Sequence, residues 1–365
     1  MPETCSATGA SHGLNSTALF MRSDKMFSLD VHCHFFPKAF LDAARGPNTL
    51  QSTIERRADG REHLVCPGNF DHPLTPDFHA AGQMLADMDS AQISMAAISS
   101  APPTLSYWAE AGAARELASR LNESIAERVA EYPERFLGLA TVPLQDIAAS
   151  VAEAKRAINE LGLHGFQIGS NVAGKNLNHP DYFPLFETIA GLDVPVFVHP
   201  YIPAGEERMQ DFYLHNLLGM VAETGLAIAS VIYGGILERW PNLKIIFAHA
   251  GGVFPYVVGR MDHGYKVRAQ ECAAAIPHPP SHYLRKVYFD CMSFHPLALR
   301  YLVDMVGADH VLIGSDYPFD MGPIGGPVAE VLANPHLSDE EKEQICGKTA
   351  ATLFGLTNHQ QKIPD

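Results

Sequence analysis

The sequence is short of positive charge: 26 Lys and Arg stand against 41 Asp and Glu, a formal net charge of −15 over 365 residues. A protein that neutralises phosphates needs a basic face, and no Lys/Arg cluster of that kind is present, so no nucleic-acid partner is expected. The same negative field repels small anions, so an anionic substrate has to be captured by a few locally placed cations. Cysteine is scarce as well. Cys5, Cys33, Cys66, Cys272, Cys291 and Cys346 form no C-x-x-C pair, which excludes a zinc ribbon and a disulfide framework and points to reduced thiols in the cytoplasm. No run reads as long and apolar enough to span a membrane, so no membrane partner is expected. The first 26 residues are rich in Ser, Thr, Ala and Gly and lack the cationic start and apolar run of a signal peptide; residues 1–26 are expected to form a flexible arm.

What the chain does have is a 47% hydrophobic composition, enough for one large α/β barrel or two smaller domains. Short apolar runs alternate with amphipathic stretches, as in a parallel sheet with crossover helices. Eight runs read as strands: Phe27 to His34, Ser94 to Ser100, Phe136 to Pro143, Gly165 to Gly169, Val194 to His199, Lys244 to His249, Val287 to Met292, and His310 to Asp316. Helical periodicity marks Ala109 to Tyr132, Ala148 to Leu161, and a long stretch from Tyr213 to Arg239 that is expected to break near Gly219 to Gly225. The fold expected for residues 27–365 is therefore a (β/α)8 TIM barrel. The charged, Gly- and Pro-bearing segment after the first strand, about residues 37–76, reads as an inserted lid over the mouth.

The chemistry-bearing residues fall at strand ends. His32 and His34, then His199, His249 and Asp316 close runs one, five, six and eight, the face where barrel enzymes place their sites. Residues i and i+2 of a strand point the same way, so His32 and His34 project together. Adding His199 and Asp316 gives a nitrogen and oxygen set suited to one divalent ion, with Zn first and Mn or Fe also compatible. Such an ion lowers the pKa of bound water towards about 7. His249 is then placed as the general acid/base beside it. A lone strand-end histidine is more often structural than functional; it is the joint placement that favours a site. Strand four ends in Gln167 rather than a bridging carboxylated lysine, so a single metal is expected.

These residues lie in motifs that resemble the amidohydrolase superfamily and, within it, the branch typified by 2-amino-3-carboxymuconate-6-semialdehyde decarboxylase. The motifs are DVHCHFFP (Asp30 to Pro37), SYW (Ser106 to Trp108), YPERFLGLATVPLQD (Tyr132 to Asp146), GFQIGSNVAGKNL (Gly165 to Leu177), VFVHP (Val196 to Pro200), FAHAGGVFPYVVGRMDHGY (Phe247 to Tyr265) and GSDYPFDMG (Gly314 to Gly322). The resemblance implies metal ligation by His32, His34, His199 and Asp316 and acid/base work by His249. It also implies a homodimer in which Arg260 reaches the neighbour's site to pair with a substrate carboxylate, a task for a planar guanidinium; a plain interface salt bridge is the bland alternative. The chain departs from the family in the lid, where Asn69-Phe70-Asp71-His72 stands in place of an N-F-R sequence whose arginine also holds carboxylate. If Asp71 faces the pocket, a dianionic substrate is disfavoured; Arg61 or His72 could instead reach that spot. Tyr201, two residues after His199, and Trp108 are candidates to line the substrate pocket.

The expected function is non-oxidative decarboxylation of an aromatic or conjugated carboxylate, resembling an aminocarboxymuconate semialdehyde or a hydroxy- or aminobenzoate, by a carbon-carbon lyase without an organic cofactor. A metal-dependent hydrolase or hydratase acting on a lactone, an amide or a conjugated acid is the rival, and a catalytically inert scaffold is a third possibility disfavoured by the intact ligand set.

Overall fold

A computed structural model describes residues 26–47, 50–67 and 70–356; the expected arm lies outside the described residues except for Met26. Eight strands form one parallel sheet in sequence order: β1 (Leu29–Phe35), β2 (Met95–Ser100), β3 (Phe136–Ala140), β4 (Gly165–Gly169), β5 (Val196–His199), β6 (Ile245–Phe247), β7 (Tyr288–Asp290) and β8 (Val311–Leu312). Their apolar composition follows from burial on both faces, inside the barrel and beneath the helices. The amides of Val31, His34 and Asp316 donate to the carbonyls of Ile313, Tyr317 and His32 and so bring the chain after β8 back against β1. The expected (β/α)8 barrel is present, with a regular β8 shorter than the run that marked it.

The first strand does not alternate simply. Leu29 and Val31 belong to the cluster inside the barrel, whereas Cys33 and Phe35 pack outside it against the helices. The pairing with β2 shifts register between Asp30 and Cys33. This irregularity changes the phase of the strand, so Leu29 and Val31 fill the floor while His32 and His34 still face the interior above them. The floor is closed by Phe197, Ile246 and Leu312 and by Ala350, Ala351 and Leu353 near the C-terminus.

The lid occupies the place expected for it. A helix (Lys38–Arg45) leads into a three-stranded antiparallel sheet made of Thr53–Arg56, Glu62–Cys66 and Phe70–Pro73. Phe36, Phe40, Leu50, Leu64 and Phe78 form its own core against Leu117 and Leu121 of the helix Ala111–Glu131.

Two expectations need correction. The stretch after β5 runs as a π turn (His215–Met220) into an α-helix (Val221–Tyr233), and it breaks at Gly234-Gly235 rather than between Gly219 and Gly225. Gly225 serves contact instead, because a Cβ there would lie 2.6 Å from Val253 Cγ2. His215–Tyr233 also has the length and mean hydropathy, 19 residues at 1.4, that a membrane span would need, contrary to the sequence expectation. Half of it is buried, with Ala227, Ile228, Val231 and Ile232 in the protein core.

Candidate metal centre and active site

The five strand-end residues converge at the mouth of the barrel. Asp316 Oδ1 lies 3.2 Å from His32 Nε2, 3.4 Å from His34 Nε2 and 4.0 Å from His199 Nε2. Its second oxygen, Oδ2, is 3.8 Å from His249 Nε2. One donor atom each from His32, His199, His249 and Asp316 falls within a span of 4.8 Å. The atoms His32 Nε2, His34 Nε2, His199 Nε2 and Asp316 Oδ1 are all buried without a hydrogen-bond partner. Orphaned buried polar atoms are costly, and four aimed at one point make sense when a cation satisfies them. The donor set fits a divalent metal.

The surrounding hydrogen bonds fix the tautomers. His32 Nδ1 donates to Asp290 Oδ2 at 2.8 Å, and His199 Nδ1 donates to the Pro200 carbonyl at 2.8 Å. His34 Nδ1 lies 2.8 Å from Ser99 Oγ, whose single proton goes to Gln167 Oε1 at 2.6 Å. Ser99 must therefore accept from His34. In all three rings the proton sits on Nδ1, and the Nε2 lone pair is left to face the centre. Gln167, expected to mark the lack of a bridging lysine or to be a plain core-capping amide, thus orients His34 through Ser99, and its Nε2 donates to the Ser100 carbonyl.

Charge at the centre follows from burial set against pairing. Burial raises the Asp316 carboxyl, but the imidazoles around it, His32 foremost and then His249 and His34, outweigh burial and hold the group well below the usual carboxylate range. Burial lowers His32, yet Asp316 and Asp290 on its two sides lift it to about 10. Burial drives His34 down to about 4 and, with the charge of His32, holds His199 far below its ordinary value. The lift on His32 marks the negative charge of Asp316 and Asp290, which a metal on Nε2 would balance in place of a proton there.

His249 is presented by a tight left-handed turn. His249, Ala250, Gly251 and Gly252 all have positive φ, from 54° to 76°. Asp290 holds this turn, accepting from the amide of His249 at 2.8 Å and of Ala250 at 2.7 Å, besides His32 Nδ1 and the Met292 amide. Asp316 is itself left-handed, at φ 54°. Backbone in this sparsely populated region is characteristic of functional positions over-determined by their surroundings.

A cavity of about 190 Å3 opens over His199, His249 and Asp316 and is walled by Phe70, Trp108, Tyr201 and Phe319 among others. Tyr201 stacks on Trp108 with the rings 8° from parallel, and Trp108 Nε1 donates to the Leu50 carbonyl, tying that wall to the lid. Asp71 sits at the cavity's edge, but its carboxylate is engaged by Arg57 Nη2 at 2.6 Å and His63 Nδ1 at 2.7 Å on the exposed side of the lid sheet. His72, on the opposite face of that strand, packs among Phe70, Phe78 and Phe319. Arg61 pairs with Asp59 in the hairpin turn. Asn69 lies outside the described residues. Arg260 is exposed on the helix Phe254–Val267 and lines neither cavity that reaches His249.

Residues 29–356 match the family model described as Amidohydrolase. The chain belongs to the amidohydrolase family. It is 36% identical over 340 residues to the 2-amino-3-carboxymuconate-6-semialdehyde decarboxylase of Dictyostelium discoideum, covering 91% of this chain and 92% of the relative. Among solved structures it resembles 5-carboxyvanillate decarboxylase from Sphingomonas paucimobilis, with a TM-score of 0.79 at 24% identity over 91% of this chain and 100% of that one. It also resembles dihydroxybenzoic acid decarboxylase from Polaromonas sp. JS666, solved with bound manganese and 2-nitroresorcinol, with a TM-score of 0.75 at 24% identity over 92% and 99%.

Sequence reading missed Asp290, Ser99 and the pair Asp30–Ser315, in which Ser315 Oγ donates to a fully buried carboxyl that burial lifts to about 6. Asp290 ends β7 as His199 ends β5, so the strand-end rule that found the clustered histidines applies to it equally. Ser99 and Ser315 carry no comparable signal.

Proposed function

We propose that this amidohydrolase-family protein is a metal-dependent, non-oxidative carboxy-lyase acting on a small aromatic or conjugated carboxylate. The observation that carries the proposal is the set of four orphaned donor atoms on His32, His34, His199 and Asp316, with His249 held beside them. Three imidazoles and a carboxylate suit Zn, with Mn or Fe as alternatives. When bound, the ion supplies Lewis-acid stabilisation of substrate oxygens. His249, steadied through its backbone by Asp290, delivers a proton to the ring carbon that bears the carboxylate and makes it tetrahedral. The bond to the carboxylate then breaks, its electron pair returns to the ring, and CO2 leaves. Asp316 Oδ2 sits where it can orient the His249 imidazole. Tyr201 and Trp108 contribute the flat wall against which a planar acid lies, and the lid strand carrying Asp71 and His72 caps it.

A homodimer belongs to the same proposal. An open apolar groove of about 670 Å3 runs from His249 and Asp316 past Leu217, Tyr256, Phe294, Leu297 and Tyr301. Tyr256 is 86% exposed, and Arg260 follows it by one helical turn. Such a surface suits burial against a second copy, whose Arg260 would then pair with the substrate carboxylate. A cytoplasmic location fits the free thiols of Cys33, Cys66, Cys272, Cys291 and Cys346.

The test is CO2 release by metal-loaded protein from hydroxybenzoates, aminobenzoates and carboxymuconates, with lactones as controls. Turnover of at least one acid is expected; lactone opening with no CO2 from any acid would replace the lyase with a hydrolase.

A further inference from the structure

We propose that His215, steadied by Glu206, selects the substrate's second ring substituent, and that it takes a hydrogen-bond donor, a phenolic hydroxyl or an aromatic amine, in preference to a second carboxylate. This inference rests on the carboxy-lyase reading of the same cavity.

Among the described residues, no Lys or Arg lines either of the two cavities that reach His249 and Asp316. An acid with two carboxylates would engage the metal centre and Arg260 of the partner subunit with the one that leaves as CO2, and would find no further Lys or Arg in the wall for the other. The chain's net charge of −15 adds to that penalty. The wall is otherwise apolar or aromatic apart from Tyr201, Tyr213, Asn216 and His215.

His215 differs from these in having a second group built behind it. Its Nδ1 is buried without a hydrogen-bond partner, and so is Glu206 Oε2. The two orphans face each other at 3.8 Å. A shift of roughly 1 Å brings them within hydrogen-bond range. With the Nδ1 proton directed to Glu206, the Nε2 lone pair is left as an acceptor, and an acceptor recognises O–H or N–H and rejects a carboxylate oxygen. Burial also holds the His215 imidazole below its ordinary pKa, against the pull of Glu206, which favours this neutral form. A polar group placed to pair with a substrate hydroxyl discriminates strongly, since without that hydroxyl it stays unpaired.

Binding of benzoate, 3-hydroxybenzoate, 4-hydroxybenzoate and isophthalate to the metal-loaded full chain, measured by calorimetry, reads the inference without turnover. One of the hydroxybenzoates is expected to bind about tenfold more tightly than benzoate, and isophthalate no better than benzoate. His215→Ala should remove the preference while leaving metal content unchanged and benzoate affinity within about threefold; His215→Gln, which keeps an acceptor, should retain part of it, and Glu206→Gln should weaken it. Equal binding of all probes, a preference for isophthalate, or a hydroxyl preference that survives His215→Ala would overturn the inference. If the preference depends on His215 but no acid releases CO2, the selector stands and the carboxy-lyase reading falls.

Discussion

Replacing Asp290 by Asn exchanges one carboxylate oxygen for an NH2 at a position outside the candidate donor cluster, and it should disable the site. The carboxylate accepts four hydrogen bonds: Oδ2 takes His32 Nδ1 and the His249 amide, and Oδ1 takes the Ala250 and Met292 amides, at 2.7 to 3.1 Å. An amide has one accepting oxygen, so whichever way the substituted side chain turns, its NH2 confronts two buried donors. Each donor left unsatisfied costs about 1–3 kcal/mol, giving roughly 2–6 kcal/mol of lost stability before relaxation. With the NH2 toward His32, the imidazole loses the partner that keeps its proton on Nδ1, and outer-shell changes of this kind cost about 10- to 100-fold in metal affinity. With the NH2 toward Ala250, the left-handed turn that presents His249 loosens instead. Competitive titration of Asp290→Asn protein against a metal indicator, with thermal melts of metal-free protein, measures both effects. A variant that binds Zn or Mn within about twofold of wild type and melts at the same temperature would refute the claim that Asp290 organises the centre.

Removing metal with a chelator should abolish turnover, and one equivalent of Zn or Mn should restore it; full activity in protein with no detectable transition metal would contradict the donor assignment. Mixing Arg260→Ala with His249→Ala protein should recover activity in hybrid dimers, about one quarter of wild type if each intact site needs one residue from each copy and the copies pair at random; a fully active Arg260→Ala enzyme removes the clamp. The Gly138 amide donates to His164 Nδ1 at 3.2 Å, and burial lowers the His164 pKa from 6.5. The folded state therefore binds its proton less readily than the unfolded chain, so stability is lost as pH falls through 6.5 and below; urea melts at pH 7 and 5.5 should show a smaller loss for His164→Gln than for wild type. Gly252→Ala would put a Cβ 2.0 Å from the Val221 carbonyl oxygen at φ 58°. It should cost at least about 1–3 kcal/mol and lower kcat more than metal content, because the displaced turn carries His249.

The barrel and the convergence of His32, His34, His199, His249 and Asp316 were legible in the sequence for one reason: both follow from the two-residue period of a strand and the direction of a parallel sheet, which need only local order. His32 and His34 share a face wherever the strand goes, and His199 and His249 mark strand ends whatever follows them. The irregularity between Asp30 and Cys33 was not legible, because a phase change in β1 is set by pairing with β2 and leaves no mark in the residue pattern. Glycine misled in the long helix for a related reason: Gly225 accommodates Val253, a neighbour from another element, rather than a bend.

The outer shell divides along the same line. Asp290 obeys the strand-end rule yet works through atoms a strand pattern does not name, the backbone amides of a turn after a different strand. Arg260 was reached through resemblance alone, since within one chain it is an exposed helix residue. His215 and Glu206 sit nine positions apart on an irregular connection after β5, where no period relates them; only the fold brings their orphaned atoms face to face. The lid departure points the same way. Asp71 replaces a family arginine, but Arg57 and His63 neutralise it from the side away from the cavity. The substitution therefore acts by withdrawing a cation from the pocket more than by adding an anion to it. A cavity that this chain lines with no Lys or Arg, and with an imidazole acceptor in its wall, discriminates against a second carboxylate by omission, which a sequence shows only once the fold has decided which residues face inward.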